Sequence, residues 1–233
     1  MINLYIIVEG DSEEKFVKEI LSSYFWEKNI FLHPEKVITG RNRFGKSCKG
    51  GGNSYKLYKN HIVKQIKQFA RQKSYYFSTM IDLYALPSDF PKLTEAKRYY
   101  QDKYRYIEFL ENAFSEDIGS KKFIPYIQLH EYETLLFSNI EAIADEYFDL
   151  EDDKLLQTIK DDISPYENIE LINDSNETAP SKRLDRYTNG NYCGQKTVTS
   201  INILKKIGLS VIRTKCKHFD SWLQKIESLA SDG

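Results

Sequence analysis

The chain opens with an apolar run that ends abruptly in acidic residues. Ile2 to Val8 is rich in β-branched and aliphatic side chains, and Glu9 follows it directly. A short apolar run bounded by a turn signal is typical of a strand that is buried on both faces of a parallel sheet. Gly10, the next residue, would let the backbone turn sharply. The pattern therefore predicts a buried strand that brings Glu9 to the edge of a sheet.

Strand-like and helix-like patterns then alternate along the chain. Apolar residues at helical spacing occupy Glu13 to Lys28, Tyr55 to Gln72 and Leu93 to Phe114. Further strands are expected at about Lys36 to Ile38, Ser74 to Leu83 and Lys122 to Leu129. This alternation predicts an α/β fold with a mainly parallel, Rossmann-like sheet flanked by helices. We expect an α/β core over residues 1–138 and a mainly helical portion over 139–233, packed together as one unit.

The residues after Gly10 carry the signals of a helix start. Asp11 or Ser12 can cap a helix, and Glu13 is favoured in its first turn by the helix dipole. Glu9 and Glu13 would then lie near one another where a strand meets a helix, which is a candidate position for a divalent cation. An acidic first turn that only supports the helix explains the same residues.

Two more predicted strands end in carboxylates. Asp82 ends one of them, and His130-Glu131-Tyr132-Glu133 follows the other. Because parallel strands end at one edge of a sheet, we expect Glu9, Asp82 and Glu131 to converge, although a strand-end turn also explains Asp82. If the strand continues, Glu131 and Glu133 lie on opposite faces of the sheet, and if it stops, they lie around the first turn of a helix. We therefore expect only one of them, preferably Glu131, to face the site.

Charge is strongly segregated, although the formal net charge is only −1. Arg41 to Lys73 is basic, whereas Glu141 to Asp162 is mostly acidic. The glycine-rich segment Thr39 to Ser54 is expected to be a mobile, substrate-facing loop. Its candidate phosphate contacts are Arg41, Arg43, Lys46 and Lys49. Basic charge beside a carboxylate cluster suits a phosphate-bearing substrate.

Gly40 to Ser47 also matches the spacing of a P-loop. A P-loop needs a long helix that starts at its lysine, so that backbone N–H groups point at phosphate. Here three glycines, Gly50 to Gly52, follow almost at once and would break such a helix. We interpret the match as accidental.

Composition narrows the class of protein. The 233 residues are 41% hydrophobic and 29% charged, which is ordinary for a soluble globular protein. The sequence has no apolar run long enough to span a bilayer and no signal-peptide pattern at its N-terminus, so we expect a cytoplasmic protein without a membrane partner. Cys48, Cys193 and Cys216 form no Cys-x-x-Cys pair, which argues against a disulfide scaffold or a zinc ribbon.

The acidic landmarks resemble the TOPRIM domain that topoisomerases, primases and OLD-family nucleases share. In that family a glutamate after the first strand and an Asp-x-Asp motif after a later strand hold magnesium. Glu9 matches the first element, Glu13 completes a Glu-Gly-x-Ser/Thr-Glu form similar to the OLD-like branch, and Asp82 matches the start of the second. The resemblance implies that these three residues bind Mg²⁺ or Mn²⁺.

The second motif departs from the family pattern. Tyr84 stands where the second aspartate is expected. The remaining metal ligand would then be Asp89, or one of Glu131 and Glu133.

The whole chain resembles, more closely, small stand-alone TOPRIM-like proteins that are often encoded beside ATPases in prokaryotic defence neighbourhoods. The matching motifs are Val8-Glu9-Gly10, Asp82-Leu83-Tyr84, Asp89-Phe90-Pro91, His130-Glu131-Tyr132-Glu133, Ala179-Pro180-Ser181-Lys182-Arg183 and Cys216-Lys217-His218-Phe219 with Trp222. The resemblance implies a divalent-metal-dependent nuclease that cleaves phosphodiester bonds in DNA, in anti-phage defence with an ATPase partner.

In that mechanism Glu9, Asp82 and Lys182 are the expected catalytic residues, while Arg183 and Lys196 contact the substrate. Metal would polarise the phosphodiester and activate water, and the cations would offset charge in the transition state. Solvated helix charges explain the cations equally well. The alternative is a catalytically degenerate nucleic-acid-binding or regulatory subunit of an ATPase complex, which Tyr84 favours. The choice between DNA and RNA and the formation of a homo-oligomer stay open.

Overall fold

The computed structural model describes residues 1–41, 47–49, 54–147, 153–173, 175 and 177–230, with residues 38–41, 47–49 and 153 described by their backbone alone. The chain divides into two compact units. The first unit is Met1–Gln128 with Trp222–Gly233, and the second unit is Leu129–Ser221. The division comes before the predicted boundary at residue 138, and the C-terminal segment belongs with the sheet.

The first unit contains a five-stranded sheet with the order β2-β1-β5-β6, in which β7 also pairs with β5. Its strands are β1 (Ile2–Val8), β2 (Ile30–Lys36), β5 (Tyr75–Asp82), β6 (Phe123–Ile124) and β7 (Ile127–Gln128). All the pairs are parallel. Central β1 is buried at Leu4 and from Ile6 to Val8, as a strand covered on both faces requires. The prediction of an α/β fold with a mainly parallel sheet is confirmed.

The strand expected at Lys36 to Ile38 is wrong, because β2 ends at Lys36, Val37 belongs to no strand and β3 begins at Ile38. β2 starts at Ile30 and runs beside β1 for its full length, from the pair Ile2 and Ile30 to the pair Val8 and Lys36. A small antiparallel pair follows, formed by β3 (Ile38–Arg41) and β4 (Ser47–Lys49). Arg43 and Lys46 lie outside the described residues, as do the side chains of Arg41 and Lys49.

Helices flank this sheet. They are α1 (Asp11–Phe16), a π-helical segment (Val17–Leu21), α2 (Ser22–Trp26), α3 (Tyr55–Gln68), α4 (Leu93–Ala96) and α5 (Lys103–Ile118). The single helix predicted from Leu93 to Phe114 is wrong. The Asp102 side chain accepts a hydrogen bond from the Arg105 N–H and starts α5 as a separate helix.

The C-terminal portion is helical, as predicted. Its helices are α6 (Ile140–Glu146), α7 (Asp153–Ile163), α8 (Pro180–Tyr187), α9 (Asn191–Ile207), α10 (Leu209–Lys215) and α11 (Lys217–Ser228). The end of α11 belongs to the first unit, where Trp222 Nε1 donates to Ser78 Oγ on β5 at 2.9 Å. The Trp222 ring also stacks on Tyr126, with 4.3 Å between ring centroids. Among the described helices, none is long and apolar enough to cross a membrane.

Candidate active site

Two predicted residues lie at the carboxyl edge of the two central strands. The register pairs Val8 of β1 with Met80 of β5. Glu9 follows Val8 directly, and Asp82 is the last residue of β5, two positions after Met80. Neighbouring strands lie about 4.8 Å apart. The backbone therefore brings the two acidic residues to one edge, where open α/β sheets place their sites.

Glu9 is positioned from the side of α3. The Tyr58 hydroxyl donates a hydrogen bond to Glu9 Oε1 at 2.9 Å, and Tyr58 itself is buried. Tyr58 belongs to the apolar stripe of α3, which the helical spacing already indicated. No sequence pattern indicated, however, that its hydroxyl reaches the strand edge. Tyr58 is thus a positioning residue for Glu9.

Glu13 closes the turn between β1 and α1. It is buried, and its Oε2 accepts a hydrogen bond from the Gly10 N–H at 3.0 Å. The expected cap at Asp11 or Ser12 is wrong, because Gly10 is the N-cap of α1. Through this hydrogen bond, one of the two carboxylate oxygens of Glu13 supports the start of α1. This agrees with the interpretation that the acidic first turn supports its helix.

Gly10 is needed for space rather than for an unusual backbone angle. Its φ of −139° and ψ of −172° are extended and open to any residue. A Cβ atom at this position would lie 3.0 Å from Glu13 Oε2. We expected Gly10 to let the backbone turn sharply; its backbone is instead extended, and the glycine leaves room for the Glu13 carboxylate.

Asp89 caps α3. Its two oxygens accept hydrogen bonds from the Tyr55 N–H at 2.7 Å and from Ser54 Oγ at 2.8 Å. These bonds, with that of the Tyr55 N–H first, hold the pKa of Asp89 below its ordinary value. Tyr84, which stands where the TOPRIM pattern has its second aspartate, is exposed after β5. Asp89 therefore has a structural role whether or not it binds metal.

In the second unit, Glu131 caps α8. Its Oε2 accepts a hydrogen bond from the Ser181 N–H at 2.9 Å, in the first turn after Pro180. α8 begins at Pro180, and Lys182 is exposed in its first turn. The convergence of Glu131 with Glu9 and Asp82 stays a prediction.

Arg183 has a role other than the predicted substrate contact. It is 2% exposed and forms an ion pair with Asp162. Its Nε donates to the Thr178 carbonyl at 2.8 Å, and an Nη atom donates to the Tyr166 hydroxyl at 3.0 Å. A guanidinium that is buried and bonded on several sides cannot serve a substrate phosphate, so the assignment is corrected.

Lys196 pairs with Glu133, which sequence reasoning placed second to Glu131. Lys196 Nζ lies 2.6 Å from Glu133 Oε1, and the Tyr192 hydroxyl donates to the same oxygen at 3.0 Å. Glu133 is completely buried, and this burial raises its pKa. Its Oε2 is buried without a hydrogen-bond partner in the described structure. The signal in the sequence was a carboxylate two residues before the apolar run Leu135-Leu136-Phe137.

The carboxylates at the sheet edge suit a hard divalent cation by donor type. Within the described residues, no three His, Cys, Asp or Glu side chains are grouped closely enough to hold a metal ion. Mg²⁺ is commonly bound by only one or two carboxylates, with waters and substrate phosphates completing its shell. Glu9 and Asp82 fit an open site of that kind, whereas a closed protein cage does not fit.

Comparison with protein families gave one match that covers almost the whole chain. The model of a domain of unknown function, DUF4276, matches residues 8–227. No curated protein and no solved structure matches the chain.

Proposed function

Because the chain belongs to the DUF4276 family, whose description assigns no activity, we propose its function from its own residues: a divalent-metal-dependent nuclease that cleaves phosphodiester bonds in DNA. One observation carries the proposal. Glu9 directly follows β1 and Asp82 ends β5, and these two central parallel strands bring both residues to the same edge of the sheet. The resemblance of Glu9, Glu13 and Asp82 to the TOPRIM pattern supports it.

The residues at this edge have distinct tasks in the proposed reaction. Glu9 and Asp82 would hold Mg²⁺ or Mn²⁺, which supplies polarisation of the phosphodiester and activation of water. Tyr58 fixes one oxygen of Glu9, and Glu13 fixes the turn that follows it. Both contacts limit the freedom of Glu9, as precise positioning of a reacting group requires.

Lys182 is the proposed electrostatic catalyst. It is exposed in the first turn of α8, where the helix dipole disfavours a cation. An ammonium at that position is stabilised by an anion, and the phosphate of a transition state provides one. The Lys182 side chain is exposed to solvent, whereas that of Arg183 is buried.

The substrate and partners follow from charge and from the resemblance. The basic segment Arg41 to Lys73 suits a polyanion. The resemblance to TOPRIM-like proteins that are encoded beside ATPases supports a role in anti-phage defence, with an ATPase partner in the cytoplasm.

A cleavage assay with matched carboxylate variants tests the proposal. The purified chain is incubated with DNA or RNA and with Mg²⁺ or Mn²⁺, with and without the neighbouring ATPase. Glu9→Gln and Asp82→Asn should each lower the cleavage rate by more than about 100-fold, because even outer-shell partners of a metal cost roughly 10- to 100-fold. The control Glu116→Gln removes an exposed carboxylate that pairs with Lys92 and should leave the rate unchanged. Undiminished cleavage by Glu9→Gln would refute the proposal.

A second candidate is a nucleic-acid-binding or regulatory subunit without activity. Tyr84 favours this second candidate, because it is exposed and stands where the TOPRIM pattern has its second aspartate. In that case the protein would bind DNA but cleave nothing with any divalent metal, and Glu9→Gln would not alter binding.

Lys182→Met tests the electrostatic role separately. It should lower the turnover number more than it raises the Michaelis constant, because the lysine acts on charge that develops in the transition state. Lys160→Met removes an exposed lysine that pairs with Glu141 and serves as the control. A change confined to the Michaelis constant would reduce Lys182 to a binding contact.

A further inference from the structure

The outer face of α3 is basic along its length. Tyr55, Tyr58 and Ile62 are buried and define the inner face of this helix. At about 100° per residue, the opposite face carries positions 56, 60, 64 and 67, and all four side chains there are exposed. A further exposed cation lies in the turn after the helix. These residues form the basic face of α3: Lys56, Asn60, Lys64, Lys67 and Arg71.

The four cations of the basic face are not used within the fold. In the part of the chain that the structure describes, none of their side chains forms an ion pair. Lys59, to one side of this face, shows the contrast, because its Nζ lies 2.9 Å from Asp117 Oδ1. Lys64 and Lys67 are three residues apart on one helix, where like charges repel. A negatively charged partner would relieve this repulsion.

Acidic side chains that contact α3 are engaged by other groups. Asp89 accepts hydrogen bonds at the start of the helix, and Asp117 accepts one from the Tyr55 hydroxyl as well as that of Lys59. Glu35 accepts a hydrogen bond from Gln65 Nε2 at 2.6 Å. The segment from residue 55 to residue 73 itself contains six basic residues and no Asp or Glu. The positive charge of the basic face is therefore available to a partner.

The basic face begins beside the proposed catalytic edge. Lys56 lies two residues before Tyr58, whose hydroxyl donates to Glu9 Oε1 on the inner side of the helix. The chain beyond α3 returns to the opposite edge of the sheet, where the Asn3 N–H donates to the Ser74 carbonyl at 2.8 Å. α3 thus runs from the edge that carries Glu9 towards the starts of the strands. Its rise of 1.5 Å per residue separates positions 56 and 67 by about 16 Å along the axis.

We propose that the basic face of α3 binds the phosphate backbone of duplex DNA and holds it beside Glu9. One strand of a duplex carries a phosphate about every 3.4 Å along its axis, so positions 56 to 67 span about five phosphates. Lysine binds phosphate as a point charge, and phosphate contacts carry no sequence information. The contact is therefore independent of sequence. The inference rests on the proposed nuclease function, to which it adds the surface that holds the substrate.

An acidic protein surface is the competing partner for such a face. The row of cations favours DNA, because a duplex presents phosphates at regular intervals whereas protein surfaces mix charges of both signs.

Fluorescence anisotropy with the full chain and a short labelled duplex tests the surface, in EDTA so that metal plays no part. The test variant replaces all four cations of the basic face by glutamine. Between about 50 and 200 mM salt, its slope of log affinity against log salt concentration should be flatter by about three to four, since each lost phosphate contact removes about 0.9. The loss of affinity should be equal for A·T-rich and G·C-rich duplexes.

A control variant removes the same net charge from other exposed lysines. Each of them forms an ion pair with a carboxylate, and each is replaced by glutamine: Lys18, Lys92, Lys160 and Lys206. This control should leave the slope nearly unchanged. A slope that flattens no more in the test variant than in the control would overturn the inference, as would a loss confined to one duplex sequence. Polyglutamate that binds the wild-type chain as tightly as DNA does would assign the face to an acidic protein instead.

Binding in EDTA needs no catalysis, so this inference and the proposed function can fail separately. If the test variant loses affinity while the wild-type chain never cleaves DNA, the surface stands and the nuclease function fails. If the wild-type chain cleaves DNA but the slope is unchanged in the test variant, the surface fails alone. When cleavage is observed, the four substitutions should raise the Michaelis constant and leave the turnover number unchanged, because the contacts are the same before and during reaction. A fall confined to the turnover number would contradict the inference.

Discussion

At the scale of single residues, the turn after β1 depends on a close approach that only glycine allows without adjustment. The Gly10 N–H is bonded to Glu13 Oε2, and a Cβ atom on residue 10 would lie 3.0 Å from that same oxygen. An added methyl group therefore displaces the carboxylate that closes the turn. This places a steric requirement next to Glu9.

Gly10→Ala should lower the free energy of unfolding by about 1 kcal/mol, because the crowding of the Glu13 carboxylate outweighs the stabilisation that alanine provides by restricting the unfolded chain. It should also slow any cleavage that depends on Glu9. Gly194→Ala is the matched control, because a Cβ there meets no atom within 4 Å. Urea unfolding measures both, and a Gly10→Ala protein as stable and active as the wild type would contradict the account.

The buried Glu133 predicts a specific pH dependence. Burial raises its pKa, so the folded chain binds this proton more tightly than the unfolded chain does. Its stabilising contribution is complete below the unfolded pKa of about 4.3 and is lost as the pH rises through the folded pKa. Glu133→Gln, which cannot ionise, should therefore gain stability relative to the wild type as the pH rises from 4 towards 8. Urea unfolding across that range tests this, and parallel curves would contradict it.

At the scale of elements, carboxylates distant in sequence start two of the helices. Asp89 caps α3 at Tyr55, and Glu131 caps α8 at Ser181. Both residues entered the sequence-based metal site because an acidic residue after a strand looks the same in either role. The structure supplies the cap partners, which no local pattern could indicate.

Asp89→Ala should lower the free energy of unfolding, because the Tyr55 N–H and Ser54 Oγ at the start of α3 lose their acceptor. Because the cap bonds lower the pKa of Asp89, this contribution is present above the unfolded pKa and fades as the pH falls through the folded pKa. Urea unfolding at pH 7 and pH 3 measures it. A fall in Mn²⁺ affinity in the same variant would indicate that Asp89 is also a metal ligand.

The elements that the sequence predicted best have clear periodicity. The apolar run of β1 and the stripe of α3 both appear where expected. The strand predicted from Lys122 to Leu129 was harder to predict, because it is divided into β6 and β7, with Pro125 and Tyr126 between them. Proline has no N–H to donate, and the Tyr126 N–H bonds to Thr79 Oγ1 at 3.0 Å instead of continuing the ladder.

At the scale of the whole molecule, the sequence predicted which acidic residues lie at the strand ends, but it did not predict which residues the basic side chains contact. Parallel topology alone brings Glu9 and Asp82 to one edge. The fate of Arg183 depends on Asp162 and Tyr166, which lie 21 and 17 residues away along the chain. Such contacts arise from tertiary packing, so a basic residue in a motif does not reveal whether it meets a substrate or a buried carboxylate.

Charge distribution along the chain predicts a salt-dependent interaction with DNA. Replacing Arg41, Arg43, Lys46 and Lys49 by neutral residues should flatten the dependence of DNA affinity on salt, because fewer counterions are released on binding. The slope of log affinity against log salt concentration, compared between the two proteins, measures the effect. An unchanged slope would exclude the loop from the interface.

Calorimetric titration with Mn²⁺ tests whether Glu9 and Asp82 together hold a divalent cation. The wild-type chain and Glu116→Gln should bind the ion equally, because Glu116 is an exposed carboxylate that pairs with Lys92. Glu9→Gln and Asp82→Asn should each bind it at least about tenfold more weakly. Equal affinity of all four proteins, or no binding by the wild type even with DNA present, would contradict the account.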